Sequence, residues 1–351
     1  MRGLTISAHG GLDQLEYRTN LPVPEPKRGE IRVRVRAAAL NHLDLFVVGG
    51  IPGVKITPGW VLGADATGIV DAIGELNEDG GTANDLKVGD SVIINPGLAD
   101  HSCEYCLEGE HSLCVNFRLL GEHVPGTLAE YVTVPARNAR SIPKDKPVES
   151  AAAFTLSTLT AWRMVVTRAR VRKTDNVLIW GIGGGVALAA LEIVRNIGAR
   201  SWVTSGSDEK LALARGLGAE NLINYTSTDV GKEIRSLTGK RGVDVVFDSV
   251  GESTWSQSLG ALGRRGRLVT CGATSGPMVQ TDLRRLFWNQ WDIMGSTMGN
   301  ESEFDAITRE FREGRLTPLI DSVFDISQGR KAFERLQSGQ QFGKVVVRIP
   351  E

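Results

Sequence analysis

The chain has 351 residues, 41% of them hydrophobic, and 40 Lys and Arg against 41 Asp and Glu leave a net charge of −1. That length favours two domains, and a balanced charge without basic runs interleaved with aromatics argues against nucleic acid as a partner. No stretch approaches the roughly 20 apolar residues of a membrane span, and Met1 to Ser7 lacks the apolar run of a signal peptide, so a soluble cytoplasmic protein is expected.

Up to about Pro143 the pattern is mainly β. Glu30 to Arg36 alternates apolar and charged residues, as a strand with one face in a core and the other in water would. Strand-like pieces recur at Trp60 to Ile73, Ser91 to Ile94 and Ala129 to Pro135, with Gly, Pro, Asn and Asp between them. This spacing predicts an antiparallel barrel or sandwich. Leu76 to Leu86 is polar and glycine-rich, which reads as an exposed loop.

Three of the four cysteines crowd into Cys103-x2-Cys106-x7-Cys114, with Asp100 and His101 just ahead. A Cys-x2-Cys pair can chelate one zinc ion from a tight loop, and structural zinc takes four tetrahedral ligands. The candidates are Cys103, Cys106 and Cys114, with Asp100 or His101 as the fourth ligand. A metal-free lobe and a Cys103–Cys106 disulfide or redox pair are the competing readings.

From Val148 helices alternate with strands, the signature of a parallel sheet with helices on both faces. A helix is expected over Glu149 to Arg168. Asn176 to Trp180 is a short apolar strand that breaks at Gly181-Ile182-Gly183-Gly184-Gly185 before a helical pattern begins at Val186 and ends at Gly198. The next strand, Ser201 to Thr204, completes a βαβ unit. A glycine turn at such a helix N-terminus offers backbone N–H groups and a favourable dipole to a pyrophosphate. Helices follow at Lys210 to Leu217, Val230 to Leu237 and Ser302 to Gly314. Strands follow at Asn221 to Asn224, Val243 to Phe247, Gly266 to Gly272 and Asp292 to Ser296, the last at an edge. The tail Gly343 to Ile349 reads as a strand returning to the first domain.

Gly89-Asp90-Ser91-Val92, the cysteine lobe, Leu159-Thr160-Ala161-Trp162 and the glycine turn occur in an order that resembles the medium-chain dehydrogenase/reductase superfamily over essentially the whole length. Asn41-His42-Leu43-Asp44 and Ser205 to Lys210 look most like its quinone oxidoreductase-like and zinc-binding alcohol dehydrogenase-like branches. The resemblance implies a GroES-like β-barrel domain beside a Rossmann doubly wound sheet, with the active site in the cleft between them. The expected division is 1–147, 148–314, and a return of 315–351 to the first domain. It implies a cofactor contact set of Thr160, Gly181, Gly184, Gly185, Val186, Ser205, Lys210 and Tyr225. The family's glycine positions fall on Ile182, Gly184 and Ala187, so Gly181 is expected to supply the turn.

A carboxylate at the end of the second strand would hold the ribose of NAD; hydroxyls at Ser205 and Ser207 with Lys210 nearby suit a 2′-phosphate instead. NADPH is therefore expected ahead of NADH. Where family members hold a catalytic zinc, this chain has Asn41, Ala64 and Leu156, which predicts no catalytic metal. Reduction of an activated C=C bond or a quinone by direct hydride transfer needs least help without a Lewis acid. Asn41, His42 and His123 are the candidate catalytic donors, although the resemblance also puts His42 near cofactor phosphates and His123 on the substrate pocket wall. The alternatives are an alcohol dehydrogenase or carbonyl reductase and a catalytically silent nucleotide-binding protein. A small-molecule substrate is expected, and the edge strand Asp292 to Met298 suggests a homodimer.

Overall fold

The computed structural model describes residues 1–75 and 86–350. The loop expected over Leu76 to Leu86 falls, apart from Leu86, outside the described residues. Two compact units emerge, 1–157 with 299–351, and 158–298.

The first unit is built on a long strand, Glu30–Ala39. Ile31, Val33 and Val35 on one face are buried, whereas Arg32 on the other reaches Asp71 at 2.6 Å and lies over the Tyr131 ring. The alternation thus sets the face, because a one-residue slip would put three arginines in the core. The strand pairs antiparallel with Asp65–Ile73, with Tyr131–Pro135 and with the C-terminal strand Lys344–Arg348. A seven-stranded sheet results, and a three-stranded sheet of Gly3–Ile6, Leu15–Arg18 and Trp60–Val61 accompanies it. The tail does return to the first unit, and Val345 and Val347 enter its core.

The second unit carries a six-stranded parallel sheet in the order Asn221–Asn224, Arg200–Ser205, Asn176–Ile179, Val243–Asp248, Leu262–Thr270, Asp292–Gly295. The strand order reverses beside Asn176–Ile179, at the switch point where doubly wound sheets take their ligands. Its core includes Trp180, Trp202, Val246, Leu268 and Trp291.

The boundaries differ from the sequence expectation at both ends. The helix starting at Val148 was expected to open the second domain, but Ala152 and Ala153 pack on Ala37, Ala39 and Val346 of the first unit's sheet. The helix Glu301–Arg312 was expected to close the second domain, but its Phe311 ring stacks on Phe154 at 4.5 Å and so belongs to the first unit. Local periodicity reports a helix without saying which sheet buries it. The expected helix to Arg168 continues as a π-helix over Arg163–Arg168. Helices at His42–Gly49, Glu252–Ala261, Leu283–Asn289 and Gly329–Gln337 escaped the sequence reading. The first two are only weakly amphipathic, and the third has no fully buried residue, with Leu286 alone packing partly on the core. The last has a clear apolar stripe of Ala332, Phe333 and Leu336 that could have been read.

Candidate functional site

The helix His42–Gly49 begins with a reciprocal cap. Asp44 Oδ2 accepts the Asn41 backbone N–H at 2.7 Å while the Asn41 side chain caps the N3 backbone. This fixes the Asn41 amide, whose Nδ2 donates to Asp65 Oδ2 at 3.0 Å. Lys344 completes the group: its ammonium donates to Asn41 Oδ1 at 2.5 Å and to Asp65 Oδ2 at 3.0 Å. Asp65 Oδ1 accepts the Leu156 backbone N–H at 2.7 Å. Asp65 is 0% and Lys344 4% exposed, so this is a buried ion pair with its lone pairs and protons largely occupied.

Sequence reasoning named Asn41 and passed over Lys344. The available signal was a lysine at the head of an apolar strand, Lys344-Val345-Val346-Val347, whose other members are all core residues. A lysine is almost never fully buried unless paired.

Asp44 is buried without a cation of its own. Burial pushes its carboxyl up to about 7, although the Asn41 N–H and the Lys344 ammonium oppose the rise. His42 keeps part of its surface open to solvent; crowding by the protein, then the ammonium of Lys344, hold its imidazole below the ordinary histidine value. The ring is therefore neutral at pH 7 and can offer a hydrogen bond but not a ready proton. His123 makes its contacts within its own loop: Nδ1 accepts the Leu119 N–H at 3.2 Å, and Nε2 lies 3.8 Å from Glu122 Oε1. Asn41 and His42 thus belong to one cluster with Lys344, whereas His123 is held locally and exposed.

In the second unit the strand Asn176–Ile179 runs into Gly181 and Gly183, whose φ values of +68° and +127° favour glycine. Gly181 thus supplies the turn. Its N–H donates to Thr204 Oγ1 and the Ile182 N–H donates to the Thr204 carbonyl, which pins the turn to the neighbouring strand. The helix Gly185–Ile197 starts there with Gly184 as its cap. A Cβ placed on Gly181 would meet nothing within 4 Å, so the turn borders open space there, and the helix that follows has no intrahelical acceptors for the N–H groups of its first turn. A pyrophosphate fits that arrangement.

At the end of Arg200–Ser205 no carboxylate appears. Ser205 is buried, its Oγ accepting the Ser207 N–H at 3.1 Å, and Ser207 Oγ accepts the Lys210 N–H at 3.3 Å as a helix cap. Asp208, the nearest acid, is tied to Asn224 at 2.7 Å. Tyr225 packs on Gly206 and is 45% exposed. Thr160 is buried against the Met298 sulfur.

In the cysteine lobe Asp100, Cys103, Cys106 and Cys114 present ligand atoms within 4.8 Å of one another. All four cysteines are free, so the disulfide alternative is not what the lobe forms. Backbone N–H groups of Val115 and Cys106 hold the Cys103 thiol below its ordinary value, while burial and the neighbouring thiols push Cys106 up to about 12. The Ser102 N–H, then Asn116 and the Cys103 N–H, keep Asp100 well below the usual carboxylate range. Three sulfurs and one carboxylate oxygen at this spacing fit a tetrahedral zinc ion. His101 turns away from this group: it joins His111 and Glu301 instead.

A parallel sheet reversing beside a glycine turn, joined to an antiparallel unit with a thiol lobe, defines a dinucleotide-dependent dehydrogenase architecture. The alcohol dehydrogenase GroES-like domain family matches residues 27–144, and the zinc-binding dehydrogenase family matches residues 185–313. An NAD-dependent alcohol dehydrogenase of Sulfolobus acidocaldarius is 31% identical over 99% of this chain and 100% of its own. A crotonyl-CoA carboxylase/reductase of Cereibacter sphaeroides is 28% identical over 95% of this chain and 83% of its own. The crystal structure of an NAD-dependent alcohol dehydrogenase superposes with a TM-score of 0.92 at 41% identity, covering 100% of both chains. The chain belongs to the medium-chain dehydrogenase/reductase superfamily, and it is an oxidoreductase of that group. No described helix is long and apolar enough to cross a membrane.

Proposed function

We propose that the protein reduces an activated C=C bond or a quinone with a nicotinamide cofactor, NADPH ahead of NADH, without a metal at the reacting group. The observation that carries this reading is the Lys344 ammonium held between Asn41 and Asp65. Asn41, Ala64 and Leu156 stand at the positions that resemble the family's catalytic zinc ligands, and they offer an amide, a methyl and an isobutyl group. The one oxygen donor among them is already engaged by a cation. A dication added there would face that fixed positive charge across a few ångströms, which costs binding energy in a poorly solvated site.

NADPH, when bound, supplies hydride. Gly181, Gly184, Gly185 and Val186 are assigned to its pyrophosphate, Ser205, Lys210 and Tyr225 to the 2′-phosphate side, and Thr160 to a further contact with the cofactor. Asn41, His42 and His123 are assigned to the substrate. Hydride addition to the β-carbon of an enone leaves an enolate oxygen. Neutral His42 can stabilise that oxygen by hydrogen bonding, and the Asn41 amide can do so only by giving up one of its bonds to Asp65 or the Ala39 carbonyl; water or a side chain returns the proton to the α-carbon. Lys344 orients the Asn41 amide. A structural zinc ion is assigned to Asp100, Cys103, Cys106 and Cys114. The protein is placed in the cytoplasm, where free thiols persist.

A homodimer is supported by Asp292–Gly295, an edge strand beside the helix Leu283–Asn289, whose Leu283, Phe287 and Trp288 are all exposed. The relatives named alcohol dehydrogenase and NAD-dependent favour a second reading, carbonyl reduction or alcohol oxidation with NAD. Following NADPH and NADH absorbance with a quinone, an α,β-unsaturated ketone and a simple aldehyde separates the two. Turnover confined to the aldehyde with NADH would overturn the proposal, and tight nucleotide binding with no turnover would favour a silent binder.

A further inference from the structure

The cysteine lobe brings together a second group of metal-ligating side chains, His101, His111 and Glu301, whose ligand atoms also lie within 4.8 Å of one another. The three come from separate places in the first unit. His101 sits between Asp100 and Cys103 in sequence, His111 opens a short 3-10 turn, and Glu301 begins the long helix of the returning segment. His101 Nε2 is 3.7 Å from Glu301 Oε1, and the two imidazole rings are 4.8 Å apart, tilted by 43°. His111 Nδ1 accepts only a long 3.4 Å bond from the Glu301 N–H, so its lone pair points at the start of the helix that carries the carboxylate. His101 adopts φ +57°, a left-handed conformation that residues other than glycine visit uncommonly.

We propose that His101, His111 and Glu301 form a second metal site, binding one divalent transition-metal ion such as Zn²⁺ or Co²⁺ with two imidazoles, one carboxylate and water. Two neutral nitrogens and one carboxylate suit a borderline ion better than Ca²⁺ or Mg²⁺, which prefer oxygen ligands throughout. Arg137 near His101 and the helix N-terminus oppose a dication there. Glu301 offsets them directly. The neighbouring lobe assists, because one zinc with three thiolates and the Asp100 carboxylate carries an excess of negative charge. The bound ion would join the lobe to the helix Glu301–Arg312.

The test uses tag-free, full-length protein with its lobe zinc in place, titrated with Co²⁺. One additional equivalent per chain is expected, with weak d–d bands and no thiolate-to-cobalt charge transfer. His111→Ala and Glu301→Gln should each weaken that uptake by at least about 100-fold, more than the loss of an outer-shell partner usually costs. Both should leave the lobe zinc and the far-ultraviolet dichroism unchanged. Uptake unaffected by either substitution, thiolate charge transfer on the added equivalent, or no added equivalent in the folded wild type would each overturn the proposal.

Discussion

The cysteine lobe and the Asn41 cluster start from the same chemical problem, several polar groups gathered in a small space, and solve it in opposite ways. In the lobe, Asp100 and three cysteines bring their ligand atoms within 4.8 Å of one another, so an added zinc ion can take the place of the thiol protons. Around Asp65 the cation is part of the chain, the ammonium of Lys344, and the acceptors are already satisfied by it, by Asn41 and by Leu156. The difference teaches that counting carboxylates is not enough to recognise a metal centre. What matters is whether a lysine from elsewhere in the chain has arrived first.

Lys344→Met is the strongest way to break this contrast. It leaves Asp65 buried with its charge uncompensated, and should cost about 3–5 kcal/mol in denaturant unfolding. Adding Asp65→Asn should recover part of the loss; no recovery would mean that Lys344 acts by packing rather than by charge.

Cys106→Ser tests the other region. Zinc measured per chain should fall by one equivalent, and stability by on the order of 2–3 kcal/mol, the scale of a cross-link closing a loop of this size. Initial rates at a temperature where the variant stays folded should hold. Turnover lost together with the zinc while fold and nucleotide affinity persisted would place the ion at the chemistry and remove the contrast.

The smallest expected effect comes from Asp44→Asn. The Asp44 carboxyl is raised from 3.8 to about 7 in the folded chain, so its contribution is fully present below pH 3.8 and is lost as pH rises through about 7. Over one pH unit between about 5.5 and 6.5 the wild type should lose up to about 1.4 kcal/mol relative to the variant. Parallel stability curves for the two proteins across that interval would show that Asp44 is ionised throughout.

Much of this molecule was written locally. The alternation over Glu30 to Arg36, the strand, turn and helix around Gly181, and the Cys103, Cys106, Cys114 spacing each depend on near neighbours in the chain. Each therefore showed its partners in the sequence. That Asn41, Ala64 and Leu156 stand where family members hold a catalytic zinc is a reading that comes only through resemblance to a family.

Tertiary structure decided the rest, where groups far apart in the chain meet. Lys344 reaches Asp65 across 279 positions and His111 meets Glu301 across 190, separations at which no periodicity carries a signal. The helices at either end of the expected second domain were drawn to the first unit by packing, Ala152 on Ala37 of its sheet and Phe311 on Phe154 of the neighbouring helix, since an apolar stripe specifies that a face must be buried but not against what. Local sequence fixes conformation through nearby sterics and hydrogen bonds. Which charge neutralises which is settled only once the chain has folded back on itself.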